Sequence, residues 1–190
     1  MSNTLYIGKV ANLPKSLTPK RAGLIPYSTY NNQVFLGFGI DTRSKDITDF
    51  AGGVNKSEKL IDAALREGKE ETLDLISLEK KDVDECLCIS NNRNLTIFVP
   101  VSQVPYKFTQ EFSRRYRAEC ECVQEKKRKF RPEVCDIVWF SLSEFKMKIA
   151  YPGAKDLWYS RTRNFLLDFG YEKLVNHIHS NIAQQNLVKG

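Results

Sequence analysis

The pattern of apolar and polar positions changes period along this chain, and the changes mark its elements. Residues 21–28 (RAGLIPYS) and 33–40 (QVFLGFGI) are short apolar runs that predict strands, and Asn31-Asn32 between them suits a hairpin turn. Residues 41–49 are polar and predict a loop. FAGGV follows as a short strand running into paired glycines, and Ser57 is a good N-cap for a helix over about 58–72. Residues 83–90 and 94–101 predict two more strands around the turn Asn91-Asn92-Arg93. Phe108, Phe112, Tyr116 and Val123 are spaced mostly by four, which predicts a helix over 107–124. Residues 133–140 predict a strand. Residues 156–180 predict one closing amphipathic helix with Leu157, Phe165, Leu166, Phe169, Leu174, Val175 and Ile178 as its apolar positions. There is no repeat, low-complexity tract or linker. The order predicts an α+β fold with a mixed or largely antiparallel sheet and helices packed on it. One domain is expected over 1–190, with a core at about 20–145 and a helical extension at about 150–185.

A chain of 190 residues, 42% hydrophobic and 27% charged, can bury a sizeable core and has ordinary globular composition. No apolar run reaches membrane-spanning length, and MSNTLYIGKV has no signal-peptide pattern, so a membrane partner is not expected. Five cysteines, an odd number, point to free thiols in a reducing, cytosolic setting. The pairs Cys86/Cys88 and Cys120/Cys122 have C-x-C spacing, which reads as strand or core thiols and not as a zinc site. His177 and His179 lie two apart on a helix and share no face, so no catalytic role is expected of them.

Charge changes the picture more. The formal net charge is +6, and much of the excess lies in residues 107–131: Lys107, Arg114, Arg115, Arg117, Lys126, Lys127, Arg128, Lys129 and Arg131. This segment suits a polyanionic partner such as an RNA backbone or a phosphorylated substrate, or else forms a solvated basic face. KKRKFR within it also has the composition of a nuclear-entry signal. Tyr116, Phe130, Tyr151 and Trp158 are aromatics that either stack on a base or fill the core.

The opposite charge crowds into REGKEETLD, residues 66–74. On a helix over 58–72, Ile61, Ala64, Leu65 and Gly68 form one stripe, and Glu67, Glu70 and Glu71 the next. Gly68 thus falls on the apolar side, where it permits close approach to the sheet at about 1 kcal/mol of helix propensity. Like charges at i, i+4 are also unfavourable. Three carboxylates on one face suit a hard divalent cation, although a surface helix of Glu–Lys pairs has similar composition.

The wider spacing is more specific. Gly52, five residues, Glu58, seven residues, Arg66-Glu67, two residues, Glu70-Glu71: this resembles the Nudix box, G-x5-E-x7-R-E-U-x-E-E-x-G-U. The preceding hairpin, the Gly-Gly turn and the Trp139-Phe140 strand match that family's context, over roughly residues 20–145. Two positions depart. Gly68 stands where the box has a bulky aliphatic, and Leu73 where it has its last glycine. Asp74 is expected to take over the glycine's left-handed conformation one residue later, with a turn near 73–76.

The resemblance implies a Nudix α/β/α sandwich with an extra C-terminal helix. It also implies a Mg²⁺- or Mn²⁺-dependent hydrolase of a nucleoside diphosphate linked to another group. By that likeness Glu70 and Glu71 are metal ligands, Glu67 is a ligand or the general base, and Arg66 orients the carboxylates. Glu58 and the Gly52 carbonyl are supporting ligands. Glu133, at the head of a strand that looks like one in mRNA-decapping Nudix enzymes, is the additional carboxylate, ahead of Asp136 and Glu125. RAGLIPYS…DFAGGV…EETLDL also resembles Nudix proteins of large DNA viruses. Arg21 either touches a phosphate or forms a surface salt bridge. Three readings follow: cleavage of an mRNA cap, hydrolysis of a small nucleotide or diphosphoinositol substrate, or a Nudix-fold binding module without catalysis. Substrate, metal and oligomeric state stay open.

Overall fold

Arg21–Tyr30, strand β2, is the spine of the molecule because it is apolar on both sides. In the computed structural model, which describes residues 5–125 and 131–188, Arg21 through Ser28 are all buried. Ala22 and Leu24 face one layer, Ile25 and Tyr27 the other, as the two-residue period of a strand requires. β2 pairs in parallel with β7 (Asn94–Pro100) and antiparallel with β3 (Gln33–Asp41) and β5 (Phe50–Gly53). With β1 (Tyr6–Lys9), β4 (Ile47–Thr48), β6 (Leu87–Ser90) and β8 (Val134–Ser141) this makes one mixed sheet. Its order is β1-β6-β7-β2-β3-β4, and β8 runs antiparallel to β3. Asn31 and Asn32 both take positive φ (49° and 57°) in the β2–β3 hairpin, as the turn chemistry predicts.

Helices cover both faces, so the α/β/α sandwich holds. On one face α1 (Leu60–Glu71) and α3 (Pro105–Gln124) pack on Leu24, Leu95, Ile97 and Val99, with Phe108 and Phe112 fully buried. The short α2 (Lys80–Val83) closes that layer through Val83. On the other face α4 (Leu142–Ala150), α5 (Ser160–Asp168) and α6 (Tyr171–Val188) bury Phe38, Phe145, Trp158, Phe165, Leu174 and Ile178. Trp158 stands edge-on to Phe38 with ring centroids 5.0 Å apart. It is core, not a base-stacking surface.

Several elements differ from expectation for local reasons. Ser57 sits at φ 68° and caps nothing; α1 begins after Lys59 without a side-chain cap. Residues 83–86 are not strand: Glu79 and Asp82 close a reciprocal capping box that holds α2, and the strand starts at Leu87. The single helix expected over 156–180 is two, broken where Gly170 adopts φ 69°. Leu157 lies before both and is exposed, because Ile47 and Leu157–Tyr159 exchange backbone hydrogen bonds there. β1 and α4 are additional, and α4 carries a legible signal in Ser141-Leu-Ser-Glu144, whose ends cap each other.

Candidate active site

The last two turns of α1 present the acidic stripe where the helix dipole is already negative, so the site has a deficit of positive charge. α1 lies close against β2 because Gly68 abuts Leu24; a Cβ at residue 68 would collide with that side chain. Gly52 has a matching role, since a Cβ there would strike the Glu67 carboxylate. The two glycines thus bring the α1 carboxylates down onto the end of β5.

Arg66 organises the first layer of contacts. Its Nε donates to Glu58 Oε1 (2.9 Å) and its Nη2 to Glu58 Oε2 (3.0 Å) and to the Gly53 carbonyl (3.0 Å). Its Nη1 donates to Glu67 Oε1 (2.6 Å) and, at 3.4 Å, to Glu70 Oε2. Glu58 also accepts from the Asn55 N–H, and these hydrogen bonds pull its carboxyl down to about 2. Glu58 is therefore the anchor of Arg66 rather than an open ligand. Burial pushes the Glu67 carboxyl up despite Arg66, with Glu70 and Glu133 adding to the rise.

Glu71 is placed differently. Its Oε2 is buried and accepts no hydrogen bond, which is costly for a carboxylate. Burial pushes its carboxyl well above the usual range, and the charges of Asp49, Glu67 and Glu133 push the same way. Asp49 was not legible as a site residue. It is almost fully buried, yet its pKa is held low against burial by Arg21, which donates two hydrogen bonds (3.0 and 2.8 Å), and by Thr162 (2.6 Å) and Thr96 (3.2 Å). Arg21 is therefore in a buried pair, not a surface one, and a third hydrogen bond goes to the Ala51 carbonyl (3.1 Å).

A cleft of about 370 Å³ opens over these groups, lined by Lys20, Gly52, Glu71, Glu133, Tyr159 and Arg161 among others. Among the described residues, no three His, Cys, Asp or Glu side chains converge tightly enough to hold an ion as they stand. The donors nevertheless fit one: all are hard oxygens, Glu71 has an orphaned buried oxygen, and among the described residues Glu67 and Glu70 are hydrogen-bonded through their side chains by Arg66 alone. Glu71 and Glu133 line the cleft itself; Glu67 lies within electrostatic reach of both and of the exposed Glu70, but Glu67 and Glu70 do not line it.

Among the described residues, the helical part of the basic segment does not join them. Arg114 and Arg115 pair with Glu111, Arg115 also donates to the Leu73 carbonyl (2.7 Å), and Arg117 bonds the Ser113 carbonyl. None of the three lines the cleft. Arg131 lies beside Glu133 and Arg43 in a neighbouring groove, while Lys126, Lys127, Arg128, Lys129 and Phe130 fall outside the described residues. Tyr151 is exposed, and Tyr116 stacks on Phe112. Cys86 and Cys88 are buried free thiols, as the C-x-C spacing suggests.

A mixed sheet between helical layers thus carries an Arg66-bound row of glutamates at the end of β5. The NUDIX domain family matches residues 40–161, more than half of the chain, and the chain belongs to that family. It is accordingly a hydrolase acting on pyrophosphate bonds, in a family that generally uses divalent ions such as Mg²⁺ or Mn²⁺. The match starts within β3 and runs into α5, later at both ends than the 20–145 expected. Among curated proteins none matches. Similar solved structures include an Ap4A hydrolase of C. elegans (17% identity, 80% of this chain and 96% of that one, TM-score 0.44). A Listeria monocytogenes protein described as a candidate NUDIX hydrolase is 14% identical over 86% and 97% of the two chains, with a TM-score of 0.47. The NUDIX domain of Shewanella oneidensis NrtR, complexed with ADP ribose, is 11% identical over 91% and 96%, with a TM-score of 0.43.

Proposed function

We propose that this chain is a divalent-metal-dependent pyrophosphohydrolase whose substrate is a small nucleoside diphosphate derivative. The carrying observation is the orphaned Glu71 oxygen in a nucleotide-sized cleft that Glu133 also lines, with the charge of Glu67 close by. Glu70 and Glu71 would hold the cation, with Glu133 and the Gly52 carbonyl completing its surroundings, and Glu67 would stand free of it as the general base. When bound, the cation supplies neutralisation of phosphate charge and a more acidic water. Arg66 holds Glu67 and Glu70 in register and ties them to Glu58 and the β5 end. The raised pKa of Glu67 suits it to accept the attacking water's proton.

Capped RNA is the second reading. Arg43 and Arg131 beside Glu133 support it, because they would meet a strand leaving the cleft on that side. The intramolecular engagement of Arg114, Arg115 and Arg117 favours the small substrate. A binding module without catalysis is the third, opposed by Glu58, Arg66, Glu67, Glu70 and Glu71 all standing together. The test is product analysis with Mg²⁺ or Mn²⁺, offering cap-labelled RNA and free nucleotides side by side, with Glu70→Gln/Glu71→Gln as control. Cleavage of a free nucleotide by wild type alone supports the proposal. Release of capped diphosphate, weakening as salt rises, would replace it with decapping, and no turnover of either would favour the binding module.

A further inference from the structure

A second cleft, of about 510 Å³, adjoins the first and shares Lys20, Arg21 and Arg161 with it. Its own wall adds Asn92, Arg93, Asn94 and Asn164. Arg21 brings no net charge, since Asp49 holds it. Lys20, Arg93 and Arg161 do: none of the three side chains makes an ion pair with another described residue. One carboxylate, Asp168, lies in the same wall, so the groove is net cationic next to an acidic site.

The fold builds this arrangement deliberately. The Arg93 carbonyl accepts from the Lys20 N–H (3.1 Å) and the Arg21 N–H (3.2 Å), which fixes Lys20 and Arg93 side by side. The turn itself is held by Asn91, whose Oδ1 accepts from the Arg93 and Asn94 N–H groups at 2.8 Å each. Arg161 lines both clefts from α5, where its neighbour Thr162 is bonded to Asp49. The Arg161 guanidinium lies 5.9 Å from the Tyr159 ring centroid, so an aromatic face adjoins the cationic one. Asn94 is buried, and its side-chain oxygen has no partner. That oxygen is an acceptor without a donor, which the hydroxyl of a sugar would supply.

We propose that this second cleft is a binding subsite for the group beyond the scissile pyrophosphate, and that this group is itself a phosphorylated sugar. Lys20, Arg93 and Arg161 take its phosphate, and Asn94 takes a sugar hydroxyl. The inference rests on the first cleft being the hydrolytic one. It separates substrates with a further anionic group from nucleotide sugars whose sugar is neutral.

The test is calorimetric binding at low salt to the Glu70→Gln protein, which keeps the second cleft intact. A dinucleoside tetraphosphate is compared with a nucleoside diphosphate linked to a neutral hexose. The expected result is at least a tenfold preference for the tetraphosphate. Lys20→Gln/Arg93→Gln/Arg161→Gln in the same background should reduce that preference to about twofold or less, and Asn94→Leu should reduce it without changing its salt dependence. The three substituted cations are exposed, so circular dichroism of the triple variant should match the parent. No preference in the parent, or a preference that survives the triple variant, overturns the proposal. Preference is read from binding alone, so absence of hydrolysis of either compound by wild type would count against the first cleft's assignment only.

Discussion

Leu73 carries the clearest cost written into a single residue. Its N–H donates to the Glu70 carbonyl and that of Asp74 to the Lys69 carbonyl (2.8 Å), the paired bonds of a Schellman ending. Leu73 (φ 54°) and Asp74 (φ 63°) are both left-handed, so the expected shift to Asp74 is only half of what occurs: leucine takes the glycine position as well. Its side chain packs on the α1–α3 core and Arg115 holds its carbonyl, which is what sustains the strain. Leu73→Gly and Leu73→Ala both delete that packing, but only glycine relieves the backbone. The glycine variant should therefore be the more stable of the two by about 1 kcal/mol in urea unfolding. Equal midpoints would mean the helix end is not strained. Glu71 gives a second prediction. Its folded pKa is raised, so its contribution is complete below the unfolded carboxylate pKa of about 4.3 and is lost as pH rises through the folded value. Without metal, Glu71→Gln should thus melt above wild type at neutral pH, and the gap should close on acidification. Added Mg²⁺ should raise the wild-type melting temperature and leave the variant's in place; parallel curves at every pH would contradict the burial of an ionisable Glu71. The acidic residues were legible because their spacing is local. Asp49 and Thr162 were not, because a partner 113 positions away leaves no periodic trace.

At the scale of elements, the strands and α1 were legible where one period persisted, and boundaries failed where capping or a single glycine decided them. No apolar pattern announces the break at Gly170, since Phe165, Phe169, Leu174 and Ile178 keep near-helical spacing across it. α1 shows how an unfavourable residue becomes necessary. Alanine is the better helix former by about 1 kcal/mol, so a solvent-facing Gly68→Ala would stabilise. Here the added methyl meets the fully buried Leu24, and overpacking costs about 1–3 kcal/mol. Gly68→Ala should therefore lower stability on balance. It should lower kcat further than the stability loss explains, because α1 must shift with Glu67, Glu70 and Glu71 attached. A variant with raised melting temperature and full turnover would show that α1 has room.

At the scale of the molecule, the residues beyond 150 are not an appendage, which the division into core and extension had suggested. Thr162 on α5 bonds the same carboxylate that pairs with Arg21, so the C-terminal helices reach the floor of the site. Asp49→Asn would strip that network of its charge and leave Arg21 buried without a counterion, a loss of about 3–5 kcal/mol. Thr162→Val removes one hydrogen bond to a charged acceptor and should cost about 1–3 kcal/mol, with both read by denaturant unfolding. Packing makes the dependence stronger. Trp158, Phe165, Phe169, Leu174 and Ile178 are all buried against Phe38, Phe145 and the sheet. Burial of such side chains contributes about 1.5–3 kcal/mol apiece, so the five together rival the whole stability of a typical domain, about 5–15 kcal/mol. A chain ending at residue 150 would expose the aromatic face that α5 and α6 cover, with no second layer to replace them. It is expected to show no cooperative thermal transition and no Mg²⁺-dependent shift. A cooperative melt from that fragment would mean that the α1–α3 layer and the sheet fold alone, and that the Asp49–Thr162 bond only docks a finished module.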